Sequence, residues 1–200
     1  MRAVKTAVTG VVVLAAGNSS RFNGDKLLAP MHDGRAMLST VMDKLRPLCC
    51  PIVIVVRASN TDLIALCERH RWQYRSVDES APASMSVSVR KAAHIASEYD
   101  WQSMLLCLGD MPEVVTATLK LMAAQTVLSR PSYKGRGGHP VLFPRQYFAE
   151  FCQLIGDVGA RAIVQRHRDC LKLIEVNDSG VLLDIDTREQ WQDYLAISEQ

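Results

Sequence analysis

The run Leu14-Ala15-Ala16-Gly17-Asn18-Ser19-Ser20-Arg21, with Lys26 five residues further on, holds the densest chemistry in this 200-residue chain. Its small side chains let backbone N–H groups approach an oxyanion, Ser19 and Ser20 add hydroxyl donors, and Arg21 and Lys26 add positive charge. That is phosphate chemistry. The spacing is neither the Walker pattern, which needs Gly-Lys-Ser/Thr, nor the Gly-x-Gly-x-x-Gly of dinucleotide folds. As a glycine loop after a strand it also reads as an ordinary βα turn. A second candidate, Gly109-Asp110-Met111-Pro112, closes an apolar run. A carboxylate there can bind Mg²⁺, which accepts one or two carboxylates plus substrate phosphates, or can cap the helix that follows. Further on, His139 follows Gly137 and Gly138, and Arg161 lies near a helix start. Both suit a phosphate or a planar heterocycle, although either residue type alone is more often structural.

These groups need a scaffold that gathers them. Val11-Val12-Val13, Ile52–Val56 and Met104–Leu108 are short apolar runs rich in β-branched residues, the pattern of strands covered on both faces. Between them, helical spacing predicts helices over Ala36–Leu48, from a cap at Asn60 or Thr61 through His70, over Met85–Tyr99 and over Val114–Leu128. Trp72–Val77 reads as a short strand. Strands separated by helices imply an α/β fold: a Rossmann-like three-layer sandwich with a mainly parallel sheet and helices on both faces. In such sheets ligands bind outside the carboxyl ends of the strands, where both the phosphate loop and Asp110 fall. Beyond Ser129 the pattern turns irregular, with a strand over Pro140–Phe143, helices near Arg145–Leu154 and Val158–His167, a strand over Leu171–Val176 and a last helix from Thr187. Without a linker, repeat or low-complexity tract, residues 1–200 are expected to form one domain.

The string Leu-Ala-Ala-Gly-x-Ser-x-Arg followed by Lys resembles the opening signature of the molybdenum cofactor nucleotidyltransferases (MobA-like NTP transferases), and most of all their cytidylyltransferase branch. The resemblance extends through Gly109–Pro112, Ser84–Val89, Gly135–Pro140, Gly156–Arg161 and Asp184–Thr187, in family order. It implies that Leu14, Ala15, Ala16, Gly17, Asn18 and Ser19 wrap a nucleoside triphosphate whose phosphates Arg21 and Lys26 hold. Ser86 and Ser88 would donate to ribose or base, with capping by Ser84 or Ser86 as the plainer role. Asp110 and Asp186 would hold Mg²⁺, with Asp186 or Thr187 as a simple helix cap in the alternative. Gly138, His139, Pro140, Asp157 and Arg161 would face a pterin acceptor. The implied activity transfers CMP from CTP to molybdopterin with release of pyrophosphate, and a transient contact with a molybdenum hydroxylase follows from it. GTP-dependent guanylyl transfer, another phosphorylated acceptor, or a non-catalytic cofactor-binding accessory protein are the alternatives. The chain departs from the family pattern at Asn23, where Gly is usual and Gly24 comes next. It departs also at Ser84 in place of Gly, at Arg188 in place of Pro, and at Gln190 in place of an acid.

Apolar content of 48% and charged content of 22% are those of an ordinary globular protein, and a net charge of +2 gives no field for nucleic acid. No apolar run is long enough to span a membrane. Arg2, Lys5 and Val8–Ala16 imitate a secretory signal, but Gly10 interrupts the run and cleavage would remove the phosphate loop. Six cysteines lack a C-x-x-C pair and are expected to be free buried thiols in a cytoplasmic protein. His32, His70, His94 and His167 sit among charged residues and read as surface.

Overall fold

The computed structural model describes residues 8–22, 24–78 and 84–197. Among the described residues, eight strands share one sheet in the order β3-β2-β1-β4-β7-β5-β6, with β8 added beside β5. Four of them, β1 (Thr9–Ala15), β2 (Ile52–Arg57), β3 (Tyr74–Val77) and β4 (Ser103–Leu108), run parallel. The strand β7 (Val141–Pro144) runs antiparallel to β4, pairing Leu106 with Val141. Beyond it lie β5 (Ser129–Tyr133), the two-residue β6 (Arg136–Gly137) and β8 (Lys172–Glu175), which is parallel to β5.

The continuous apolar runs are explained by burial on both sides. Successive side chains point to opposite faces of a strand, so Val11 and Val13 enter one core while Val12 enters the other. Ile54 against Val53 and Val55, and Leu105 against Met104 and Leu106, divide in the same way. The first core is closed by α1 (Met37–Leu45), α2 (Thr61–His70) and α4 (Thr116–Ala123), the second by α3 (Met85–Glu98), α5 (Phe148–Phe151) and α6 (Arg161–Arg166). The Rossmann-like three-layer sandwich with a mainly parallel sheet is therefore the observed fold. The run Val8–Ala16 is its middle, since β1 pairs with both β2 and β4; Arg2 and Lys5 lie outside the described residues.

Three element expectations need correction. The helix expected through Leu128 stops at Ala123, because Leu119 and Met122 pack in the first core whereas Leu128 packs in the second. One helix cannot serve both sides of a sheet, so the chain crosses over and becomes β5. That strand was unexpected: Ser129, Arg130, Pro131 and Ser132 show no apolar alternation, yet Ser129 and Ser132 are buried. The helix expected from Val158 begins only at Arg161. The six cysteines are free, but only Cys67 and Cys107 are buried, while Cys49, Cys152 and Cys170 are exposed. Among the described residues no helix is long and apolar enough to cross a membrane.

Candidate nucleotide and acceptor clefts

Lys26 is positioned by a turn whose sequence dictates it. Asp25 caps the 3₁₀ turn Lys26–Leu28, its side chain accepting from the Leu27 N–H at 3.0 Å and also from the Asn60 side-chain amide. The Lys26 ammonium is thereby buried, where it donates to Asp110 Oδ2 at 2.5 Å and Asp186 Oδ1 at 2.7 Å. Arg21, largely exposed, donates to Asp186 Oδ2 at 2.7 Å. Burial works against the Lys26 charge, but Asp110 and Asp186 outweigh it and raise the pKa above the ordinary lysine value. Burial likewise opposes the Asp186 charge, and Lys26 with Arg21 overcomes it to hold that carboxyl below the ordinary range.

The two carboxylates come from distant segments that the backbone ties together. Asp110 follows β4, and its carbonyl accepts from the Ile185 N–H at 3.0 Å. Asp110 does not cap α4: the Val115 N–H is taken by Asp178 at 3.0 Å. Nor is Asp186 a cap. Thr187 and Gln190 form a reciprocal capping box at the start of α7 (Arg188–Ile197), with Thr187 Oγ1 accepting from the Gln190 N–H at 3.1 Å. Gln190 Oε1 in turn accepts from the Asp186 and Thr187 N–H groups at 2.8 and 3.0 Å. The departure at Gln190 thus supplies the cap, and the Asp186 carboxylate is left to face Lys26. Arg188 costs the helix no cap. Trp191 secures α7 to the loop, donating to the Pro30 carbonyl at 3.0 Å and meeting Phe22 edge-on at 6.1 Å.

Around these charges lies a cleft of about 390 Å³. Leu14, Ala15, Ala16, Gly17, Asn18, Ser19, Arg21 and Lys26 all line it, as do Ser88, Asp110, Asp184 and Asp186. Asn18 accepts a hydrogen bond from Arg57. Ser19 has a left-handed φ of 47° and Gly24 a φ of 142°, while Asn23 lies outside the described residues. Ser86 departs from expectation. It is 1% exposed and bonded to Ser84 Oγ at 3.0 Å, so it supports the N-terminus of α3 from beneath rather than facing the cleft. Ser84 has φ −126°, extended backbone that any residue adopts, so its replacement of glycine brings no strain.

A second cleft, of about 430 Å³, adjoins the first and shares Leu14, Met85 and Leu108 with it. Of the five residues expected to face an acceptor, His139 and Arg161 line this space. Asp157 instead lines the first cleft and accepts from the Met85 N–H at 3.2 Å, capping α3. Pro140 lines a small cavity of about 20 Å³ beside Val41 and Cys107. Gly138 is buried against Val181, whose carbonyl oxygen would stand 2.2 Å from a Cβ there. Burial, with Arg130, pushes the His139 pKa down to about 4 against a weaker opposing pull from Asp184; its Nδ1 is closed off without a partner. Arg130, half-buried on the unexpected strand β5, also lines this cleft and was not singled out by the sequence. Its signal, a lone Arg-Pro pair before a glycine-rich turn, has no periodicity to carry it.

Two carboxylates meeting at one ammonium, with Asp110 Oδ1 buried and unpartnered, form a donor set that fits a divalent cation completed by substrate oxygens. Among the described residues no third Asp, Glu, His or Cys joins them. The chain is similar to purine catabolism protein PucB of Bacillus subtilis (strain 168), at 25% identity over 193 residues, which cover 90% of this chain and 92% of that protein. It is similar also to the crystal structure of Rv0371c from Mycobacterium tuberculosis H37Rv, with a TM-score of 0.81 and 27% identity over 96% of this chain and 99% of that one. A complex of Rv0371c with manganese matches at a TM-score of 0.78 and 26% identity, covering 96% of this chain and 100% of that one. Residues 11–170, which hold the phosphate loop, Asp110 and the second cleft, match the MobA-like NTP transferase domain, and the chain belongs to that nucleotidyltransferase family.

Proposed function

We propose that the protein transfers CMP from CTP to the terminal phosphate of molybdopterin, releasing pyrophosphate. The reading treats residues 1–200 as one catalytic domain and places it in the cytoplasm, where its six free thiols stay reduced. The observation that carries it is the pair of adjoining clefts. One is lined by a phosphate loop, Lys26, Asp110 and Asp186, the other by Arg130, His139 and Arg161, and they share a wall.

The nucleophile is an acceptor phosphate oxygen, anionic already at neutral pH, so its attack on the α-phosphorus needs no general base. A P–O bond forms to that phosphorus, the bond to the bridging oxygen breaks, and pyrophosphate leaves with the electron pair. Arg21 and Lys26 bind the triphosphate, and holding the two reactants in neighbouring clefts supplies orientation. Mg²⁺ held by Asp110 and Asp186 would neutralise charge on the phosphates. Lys26 and Arg21 are paired with Asp110 and Asp186, so binding the triphosphate exchanges some of these carboxylate contacts for phosphate contacts.

Pyrophosphate release, measured with Mg²⁺, each NTP in turn and molybdopterin, tests the reading. Release with CTP and molybdopterin together is expected. Release with GTP instead would move the assignment to guanylyl transfer, and binding of molybdopterin without any release would make the protein a carrier.

A further inference from the structure

Arg130 is built into the second cleft. Its Nε donates to the Gly138 carbonyl at 3.1 Å and its Nη2 to the Gly137 carbonyl at 2.5 Å, so the guanidinium lies against the turn that leads to His139. The turn is shaped around it: a Cβ at Gly137 would stand 2.7 Å from Arg130 Nε and 2.8 Å from Cζ. Guanidinium carries five N–H donors, so these two bonds leave further donors for a ligand. Arg161 lines the same cleft, near enough for its charge to add to burial in lowering the Arg130 pKa. Among the described residues no carboxylate pairs with either arginine. Two cations facing one apolar-walled space, each short of an anion, are stabilised by a ligand that brings a double negative charge.

We propose that Arg130 and Arg161 form a two-guanidinium clamp for the phosphate monoester of the acceptor, with Arg130 as its specificity-determining member. This rests on the nucleotidyl-transfer reading for its reaction, but the clamp itself is a binding site and can be tested alone. The clamp holds the dianionic group beside the wall shared with the nucleotide cleft, while Val89, Val141 and Val164 offer apolar surface to the body of the acceptor.

Phenyl phosphate serves as the probe, titrated by calorimetry into the wild type and into Arg130→Gln, Arg130→Lys, Arg161→Gln and Lys26→Gln. Arg130→Gln and Arg161→Gln should each weaken binding roughly 10-fold or more, the scale of losing a charge-assisted hydrogen bond. Arg130→Lys should recover only part, since an ammonium lacks the fork. Arg161 makes no backbone bond to the turn, so its variant keeps the test sound should Arg130→Gln unfold. Binding lost with Lys26→Gln but not with the arginine variants would put the probe on the phosphate loop and overturn the clamp; so would equal binding of neutral phenol. In turnover, Arg130→Gln should raise KM for molybdopterin by the same factor and leave KM for CTP within about twofold. A wild type that turns over while Arg130→Gln leaves the molybdopterin KM unchanged overturns the clamp and spares the transfer reaction. A wild type that releases no pyrophosphate sinks the transfer reading, and the titration still decides the clamp.

Discussion

The two clefts share a wall but hold charge in opposite ways. In the candidate nucleotide cleft the two cations are matched: Lys26 between Asp110 and Asp186, and Arg21 on Asp186. In the acceptor cleft Arg130 rests on neutral carbonyls and His139 is held neutral. A matched cluster stays ordered without ligand and must exchange partners on binding, whereas an unmatched pair of cations gains from the first suitable anion. On the proposed reading, one cleft would serve chemistry on a metal-bound polyphosphate and the other the capture of a charged acceptor.

The largest expected effect comes from unbalancing the matched cleft. Asp110→Asn leaves Lys26 paired with Asp186 but removes a carboxylate from the metal set. Turnover should fall ~100-fold or more, the scale of losing preorganised electrostatic stabilisation. Thermal stability should change little, and Asp186→Asn should act in the same direction more weakly. Near wild-type kcat at saturating Mg²⁺ would reduce Asp110 to a structural partner of Lys26.

Ala16 sharpens the comparison at the base. It lines the first cleft, and the family resemblance implies that a guanylyltransferase carries glycine in its place. A methyl-sized difference is worth ~10–200-fold in specificity. The wild type should therefore prefer CTP over GTP in direct competition, and Ala16→Gly should erode that preference. Equal use of both nucleotides by the wild type would remove the cytidylyl assignment and leave nucleotidyl transfer standing.

How much of this was legible differs between the clefts for a physical reason. The nucleotide cleft is built from contiguous motifs at the ends of apolar strands, and Val11–Val13, Ile52–Val56 and Met104–Leu108 mark those strands through burial on both faces. The acceptor cleft depends on β5, whose buried positions are serine and proline and whose pairing partners lie on β6, β7 and β8. Nothing local signals such a strand, so the sequence does not single out Arg130. Polar residues at a helix start serve ligands and caps equally well, so the sequence leaves Ser86 open between the two roles and packing alone buries it; Asp157, expected at the acceptor, instead holds the Met85 N–H and lines the first cleft.

His139 should leave a mark on stability. It stays neutral in the fold down to about pH 4, but in the unfolded chain it takes a proton near pH 6.5. Between those values the unfolded state binds more protons, so stability falls as pH drops through that window. The loss between pH 7 and pH 5 should be ~2 kcal/mol by this linkage, read from urea midpoints, and His139→Asn should flatten it. An unchanged slope in the variant would mean that the imbalance of the acceptor cleft does not reside in this imidazole.

Gly137→Ala tests the unmatched cleft without replacing a ligand-binding side chain. The new Cβ meets the end of a flexible arginine, so the guanidinium moves and the turn survives. The molybdopterin KM should rise by roughly 10-fold, with KM for CTP constant. A rise in both would show that the two clefts respond as one unit.

The smallest effect isolates the scaffold of the matched cleft. Thr187→Ala removes the hydroxyl that accepts from the Gln190 N–H, and loss of such a cap costs about 1 kcal/mol. Because Gln190 also receives the Asp186 N–H, loosening this turn lets Asp186 drift from Lys26 and Arg21. The variant should therefore unfold at slightly lower urea and lose some turnover, while its affinity for phenyl phosphate matches the wild type. That asymmetry is the point of the measurement. Arg130 and Arg161 draw no support from α7 among the bonds described, so a cap on that helix can reach only the nucleotide side. A parallel loss of phenyl phosphate binding would show that the shared wall of Leu14, Met85 and Leu108 transmits the disturbance, and the division between the clefts would then be one of charge but not of mechanics.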